Sequence, residues 1–355
     1  MICPQIVRAL AGATLLLAPT AWGQAPAPQT PAALRDVPAK SIPVPGTISP
    51  ELQAVVAQPL RAGWNTPPTT PEGWAQLVKQ LEATVGATTQ PMADRLHVKI
   101  EASTIDGVKV YVLTPEDIPP QNRNRLLVHV HGGCYVLNPH LSALPEAVQV
   151  AGISHIKTIA VDYRMPPEAY FPAALDDAMT VYKAAIALVP PQNLGVFGSS
   201  AGGALTLEMM LRAKAAGLPM PGAIAPGTPM ADATNAGDTF QTNALVDNVL
   251  VSPNGFCDAA TKFYAQGHDL ADPMLSPIYG DLHGFPPAIL TSGTRDLLLS
   301  NTVRTNQKLR EAGVETRLQV FEGQSHAQFY RDDRIPEDRF AIGEIATWFD
   351  KNLGK

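Results

Sequence analysis

Gly198-Ser199-Ser200-Ala201-Gly202 follows a short apolar run, Leu194 to Phe197, and precedes a helical pattern that starts at Ala204. That context gives the five residues a mechanical meaning. A chain that passes from strand to helix across one residue must reverse sharply, and the reversal crowds the backbone there. Glycines two positions to either side relieve the crowding and leave a hydroxyl exposed at the top of the turn. The register selects Ser200. Centring the pattern on Ser199 would need glycine at 197 and 201, where Phe197 and Ala201 stand. Ser200 also opens a helix, whose free N–H groups and dipole favour developing negative charge. The competing reading is a Gly/Ser-rich turn with no chemistry.

Outward from that turn, other runs end in residues that would complete a hydrolytic site. His131-Gly132-Gly133-Cys134-Tyr135 leaves the apolar run Leu126–Val130. A glycine-rich loop in that place can turn its amides toward an oxyanion, which needs two or three preorganised donors. A lone serine is a weak nucleophile, so a base and an orienting acid are required. On a strand–helix fold with this turn the chain order is serine, acid, histidine. Asp296 follows the run Ala288–Thr291, and His326 follows the strand that ends near Phe321. Glu322 shares the histidine's own turn, and Asp272 and Asp281 read as surface or turn residues. His268 and His283 precede the last two strands. His129 and His131 alternate on one strand, but no third ligand has metal-site spacing. Neither metal nor cofactor is expected.

The rest of the chain alternates in the same way. Apolar runs at Arg125–Val130, Ile156–Val161, Leu194–Phe197, Ala223–Ala225, Ala288–Thr291 and Arg317–Phe321 are separated mostly by helical stretches. These lie at Leu141–Ala151, Pro172–Leu188, Ser200–Ala216, Asn301–Ala312 and Asp338–Leu353. The pattern predicts an α/β fold, a mostly parallel sheet with helices on both faces. Before it, His97–Ser103 and Lys109–Leu113 flank Asp106-Gly107, an antiparallel hairpin at one edge. Ser49-Pro50 should open a helix to about Arg61, and a second helix is expected over Pro71–Val85. Residues 49–90 and about 231–275 break the alternation and are read as cap elements over the strand C-termini, where open α/β sheets bind ligands. The α/β domain occupies 91–355.

With 355 residues, 45% of them apolar, the chain can bury a large core. Lys and Arg number 26 against 32 Asp and Glu, for a net charge of −6. No long basic stretch offers itself to nucleic acid. Arg8, the apolar run Ala9–Ala18, and Ala21 with Gly23 read as an export signal over residues 1–23, too short to span a bilayer. A Pro/Ala-rich leader follows over 24–48, and no later segment reads as transmembrane. The expected location is secreted or periplasmic. Such a compartment permits a bridge between Cys134 and Cys257. Two cysteines this far apart do not establish one, and the plainer reading is two small buried side chains.

Taken together, the chain resembles the hormone-sensitive-lipase-like carboxylesterases, the bacterial family IV of the α/β hydrolases. The resemblance rests on His131–Tyr135, Asp162-Tyr163-Arg164 with Pro167-Glu168, Phe171-Pro172-Ala173-Ala174, Gly198–Gly203, Asp272-Pro273, Gly293 with Asp296, and His326. It covers the chain from about residue 90 onward. It implies an eight-stranded sheet, a helical cap and hydrolysis of short to medium acyl esters. Residue by residue it implies Ser200 as nucleophile, Asp296 as acid, His326 as base, and the amides of Gly133, Cys134 and Ala201 as oxyanion donors. Two positions depart from the family: Cys134 stands at the usual third glycine, and Ser199 where an aspartate is common. The expected partner is a small-molecule ester. The same machinery would serve a lactone or amide hydrolase, and a non-catalytic binding protein on this fold would be expected to lack a triad member.

Overall fold

A computed structural model describes residues 35–354. The expected signal, residues 1–23, and the first part of the leader lie outside those residues. Residues 37–354 fall in one compact unit.

Its centre is an eight-stranded sheet in the order β1-β2-β4-β3-β5-β6-β7-β8. The strands are β1 (Val98–Ile105), β2 (Val108–Pro115), β3 (Leu126–Val130), β4 (Thr158–Val161), β5 (Leu194–Ser199), β6 (Ala223–Gly227), β7 (Ala288–Gly293) and β8 (Thr316–Phe321). The edge hairpin turns where it was expected. Asp106 and Gly107 take φ of 46° and 85°, which lets Ile105 pair with Val108. A two-residue turn with both φ positive matches the twist of the strands it joins. β2 then pairs antiparallel with β4, and the other pairings, from β4 through β8, are parallel.

Alternation along β3 divides the core in two. Leu126, Val128 and Val130 pack toward α4 (Ala173–Leu188) and α5 (Ala201–Ala215). Leu127 points the other way, to α3 (Pro145–Ser154) and α9 (Pro336–Asn352). Because both faces are covered, β3 is buried throughout and is apolar apart from His129. Burying each such side chain contributes about 1.5–3 kcal/mol. β8 closes the sheet at an edge and is half exposed. α8 (Leu299–Glu311) joins β7 to β8.

Two helix boundaries differ most from the sequence expectation. α1 (Pro50–Val56) stops short of Arg61. Pro59 forces the preceding residue away from helical dihedrals. α2 (Pro71–Arg95) instead runs well past Val85, through Pro91. Proline there removes one helix hydrogen bond. Tertiary contacts offset the loss: Met92 and Ala93 are buried, and Thr89 Oγ1 donates to the Leu141 carbonyl at 2.7 Å. Between β6 and β7 the chain carries α6 (Thr239–Thr242) and α7 (Phe256–Ala265). Among the described residues no helix is long and apolar enough to cross a membrane.

Candidate active site

Ser200 is the single residue between β5 and α5, with φ 61° and ψ −122°. That backbone region is sparsely populated for a non-glycine residue and stores strain. The flanking glycines have a specific reason. A Cβ on Gly198 or on Gly202 would overlap the carbonyl oxygen of Val130, where β3 ends. A Cβ on Gly132 would sit 2.7 Å from the Ser199 carbonyl and 3.1 Å from the Ser200 Cβ. The glycine loop after β3 therefore lies directly against the serine. Ser200 N–H donates to the Gly227 carbonyl at 2.9 Å, and Met230 N–H donates to the Ser200 carbonyl at 3.0 Å. These bonds tie the turn to the end of β6.

Asp296 and His326 come together from the turns after β7 and β8. Asp296 Oδ1 lies 3.0 Å from His326 Nδ1 and also accepts the Leu298 N–H at 2.8 Å. Its other oxygen accepts the hydroxyls of Ser292, at 2.7 Å, and Thr228. Thr228 follows Gly227, so it joins the acid to the backbone that holds Ser200; its hydroxyl is also 3.1 Å from His326 Nδ1. Burial opposes charge on both groups. The charge and hydrogen bond of Asp296 nonetheless hold the His326 pKa above the usual imidazole value, with help from Asp247. Burial likewise opposes ionisation of Asp296, but the His326 charge and the hydrogen bonds from His326, Thr228 and Ser292 keep its pKa below the ordinary carboxyl value. His326 Nε2 is buried without a protein partner among the described residues. Hydrogen bonds between nucleophile and base are often long in a ligand-free site and tighten once substrate binds.

The glycine loop after β3 is left-handed at three successive residues: Gly133, Cys134 and Tyr135 have φ of 125°, 53° and 62°. The amides of Gly133, Cys134 and Ala201 have no protein acceptor among the described residues. Tyr163 supports the loop from beneath. Its hydroxyl donates to the His131 carbonyl at 2.7 Å, and its ring stacks on His131 at 4.0 Å. Burial pushes the His131 pKa down to about 4, so this ring is neutral. His131 Nδ1 faces the Gly132 carbonyl at 2.8 Å and His129 Nε2 faces Glu146 at 3.3 Å. Among the described residues no group of three or more His, Cys, Asp or Glu side chains could hold a metal ion.

Several functional partners were not read from the sequence. Cys134 and Cys257 are joined in a disulfide, with Cα atoms 5.5 Å apart, so the plainer reading of two separate small side chains is corrected. The bond fastens the glycine loop after β3 to α7. Tertiary proximity across 123 residues decides it, and no local pattern encodes that distance. Ser199 donates to Glu146 Oε1 at 2.6 Å, so a carboxylate from α3 stands beside the position where an aspartate is common. Thr228, Ser292 and Asp247 carried no motif; only Ser292, at the end of β7 and four residues before Asp296, had a positional signal.

The site is well covered. Ser200 and His326 are each 4% exposed and Asp296 is fully buried. A cavity of about 20 Å³ between α7 and the acid turn is lined by Met230, Phe240, Leu250, Cys257, Leu297 and Leu298. A larger cleft of about 590 Å³ opens between α2 and the β1–β2 turn, with Lys79, Lys109, His140 and Arg164 in its walls. None of the three residues Ser200, Asp296 and His326 lines either space.

The family described as alpha/beta hydrolase fold matches residues 127–330. An acetyl-hydrolase of Streptomyces hygroscopicus is 31% identical over 252 residues, which is 69% of this chain and 81% of that protein. An esterase of Acinetobacter venetianus is 27% identical over 238 residues, 66% of this chain and 77% of its own length. Among solved structures, that of an esterase is 37% identical, with a TM-score of 0.87 over 90% of this chain and 99% of that one. A hormone-sensitive lipase from a metagenome library is 26% identical, with a TM-score of 0.68 over 80% of this chain and 99% of that one.

Proposed function

The chain belongs to the α/β hydrolase family, among its hormone-sensitive-lipase-like esterases, and on that premise we propose that it hydrolyses short to medium acyl esters through Ser200, Asp296 and His326. The observation that carries the reading is the 3.0 Å contact between Asp296 and His326, joined through Thr228 to the backbone that holds Ser200.

The reaction is acyl transfer to water in two steps. Ser200 Oγ attacks the ester carbonyl while His326 Nε2 takes its proton. The amides of Gly133, Cys134 and Ala201 donate to the oxyanion. The C–O bond to the alcohol then breaks as His326 returns the proton to the leaving oxygen. Water, deprotonated by His326, attacks the acyl-enzyme, and the carboxylic acid departs as Ser200 regains its proton. Asp296 keeps the imidazole in the tautomer that presents Nε2 as a base and stabilises the imidazolium. The raised His326 pKa supports this assignment, since it makes the ring a stronger proton acceptor.

The buried triad and the bridged cap support a preference for short acyl chains. The disulfide supports an exported location, since such bonds persist in oxidising compartments. The test is a series of 4-nitrophenyl esters of increasing acyl length. We expect kcat/KM to be highest on the shorter acyl groups, and to be lost in Ser200→Ala. A rate that keeps rising to long, emulsified esters would show a lipase instead.

A further inference from the structure

A second carboxylate sits behind the proposed triad. Asp247 follows α6 in the insertion between β6 and β7 and is fully buried. Its Oδ2 accepts the N–H of Leu297, next to Asp296, at 2.8 Å and the N–H of His326 at 3.3 Å. Its Oδ1 accepts the N–H groups of Val249 and Leu250 at 2.8 and 3.0 Å. One carboxylate thus joins the backbone of the acid turn to that of the base turn.

Neighbouring residues extend the tie. Asn243 Nδ2 donates to the Asp296 carbonyl at 2.8 Å. The Asn248 N–H donates to Ser325 Oγ at 3.2 Å, and its side chain accepts from Gln328 Nε2 at 2.9 Å. Asn248 Nδ2 also reaches the Val55 carbonyl of α1 at 3.1 Å. Residues 243–248 therefore touch the acid turn, the base turn and the N-terminal cap at once.

We propose that Asp247 is a positioning residue of the hydrolytic site, one that holds the acid and base turns in register and adds a second negative charge favouring the imidazolium form of His326. It touches neither the imidazole ring nor the reacting atoms, and acts through Asp296 and His326. The inference rests on the triad reading above. The charged groups that face it are Asp296 on the acid turn and His326 on the base turn, while α1 presents only backbone carbonyls to neighbouring Asn248. Burial and the charge of Asp296 push the Asp247 pKa up to about 6, against the pull of His326 and the N–H donors. The group is therefore mainly ionised at neutral pH and above, where the imidazole has to act as a base.

The test compares wild type, Ser200→Ala and Asp247→Asn on 4-nitrophenyl acetate from pH 5 to 9. Active sites are counted by stoichiometric reaction with a phosphonate ester, and folding is checked by circular dichroism and melting. Asp247→Asn keeps the shape and loses the charge. It also turns an amide donor toward two N–H groups. We expect kcat per titrated site to fall about 10- to 100-fold, the scale of a misplaced reacting group, with KM little changed. The acidic limb of the kcat/KM profile should move to lower pH, because His326 loses a favourable negative charge. A purely structural residue would lower stability and leave kcat per titrated site and the acidic limb where they were; that result overturns the proposal. If Asp247→Asn does not fold, Asp247→Ser, smaller and still an acceptor, carries the same measurements. If neither folds, Asp247 is structural and the proposal falls. A wild type inactive on the ester, or a fully active Ser200→Ala, would instead defeat the triad reading itself.

Discussion

Breaking the bond between Cys134 and Cys257 should change stability and catalysis by separable amounts. The bridge closes a loop of 123 residues. The chain-entropy relation gives such a closure about 5 kcal/mol through restriction of the unfolded chain. Unfolding entropy of about 2.1 cal/mol/K per residue amounts to roughly 0.7 kcal/mol/K for a folded unit of this size, so Tm should fall by about 7 °C. In the proposed mechanism catalysis depends on where Cys134 sits. At φ 53° it is left-handed, a conformation costing a non-glycine residue about 1–2 kcal/mol. The link to α7 opposes relaxation of that residue. Cys257→Ser removes the link and leaves the backbone cost, so the Cys134 amide should drift from the oxyanion. Complete loss of one such donor costs about 10²–10³ in kcat, and partial loss should cost about tenfold. Cys134→Gly removes the link and the backbone cost together. It should show a drop in Tm smaller by about 1–3 °C, with kcat much nearer wild type. Calorimetry and initial rates on 4-nitrophenyl acetate, with and without dithiothreitol, read both quantities. A Tm within about 2 °C of wild type in Cys257→Ser would refute the loop-closure reasoning. Equal loss of kcat in the two variants would refute the role given to the left-handed backbone.

Ser200→Ala should lower kcat by about 10⁴ or more, while Ser199→Ala, which loses only the bond to Glu146, should have a modest effect; steady-state kinetics on the same ester decides, and the reverse ranking would move the nucleophile. Asp296→Asn should cost about 10⁴ in kcat, since its amide would favour the wrong imidazole tautomer; activity within tenfold of wild type would transfer the acid role elsewhere. Glu208 gives a pH signature. Burial raises its pKa to about 8, against the hydrogen bond from Tyr135 and the charge of Arg212. The unfolded chain therefore loses this proton first, and the contribution of Glu208 to stability should decline by about 1.4 kcal/mol per pH unit between the ordinary carboxyl value and pH 8. Glu208→Gln keeps an acceptor for Tyr135 and does not titrate, so its Tm should gain on wild type as pH rises to 8 and then run parallel; parallel curves throughout would refute the burial argument.

The candidate site was legible where local backbone demands leave a mark. A strand-to-helix reversal needs small residues at fixed offsets, so Gly198 and Gly202 named Ser200. Loops that leave apolar strands in a set order named the His131–Tyr135 loop, Asp296 and His326. The coarse fold was legible because strands covered on both faces are buried along their whole length and so are mostly apolar, as β3 and β5 are. Helix ends were less legible. α2 passes through Pro91 because buried contacts of Met92 and Ala93 outweigh one lost hydrogen bond, a balance struck by the rest of the molecule.

By itself the sequence determined the α/β alternation, the edge hairpin, the serine turn and the order of the proposed triad, all features set by residues close together in the chain. Only the tertiary structure decided that Cys134 is bonded to Cys257, that Glu146 stands against Ser199, that Thr228 and Ser292 complete the shell of Asp296, and that Asp247 joins the acid and base turns. Each of these pairs partners from separate segments or fixes which hydroxyl faces which oxygen. Such contacts have no periodicity or offset to read, because they exist only once the sheet has brought its strand ends to one edge.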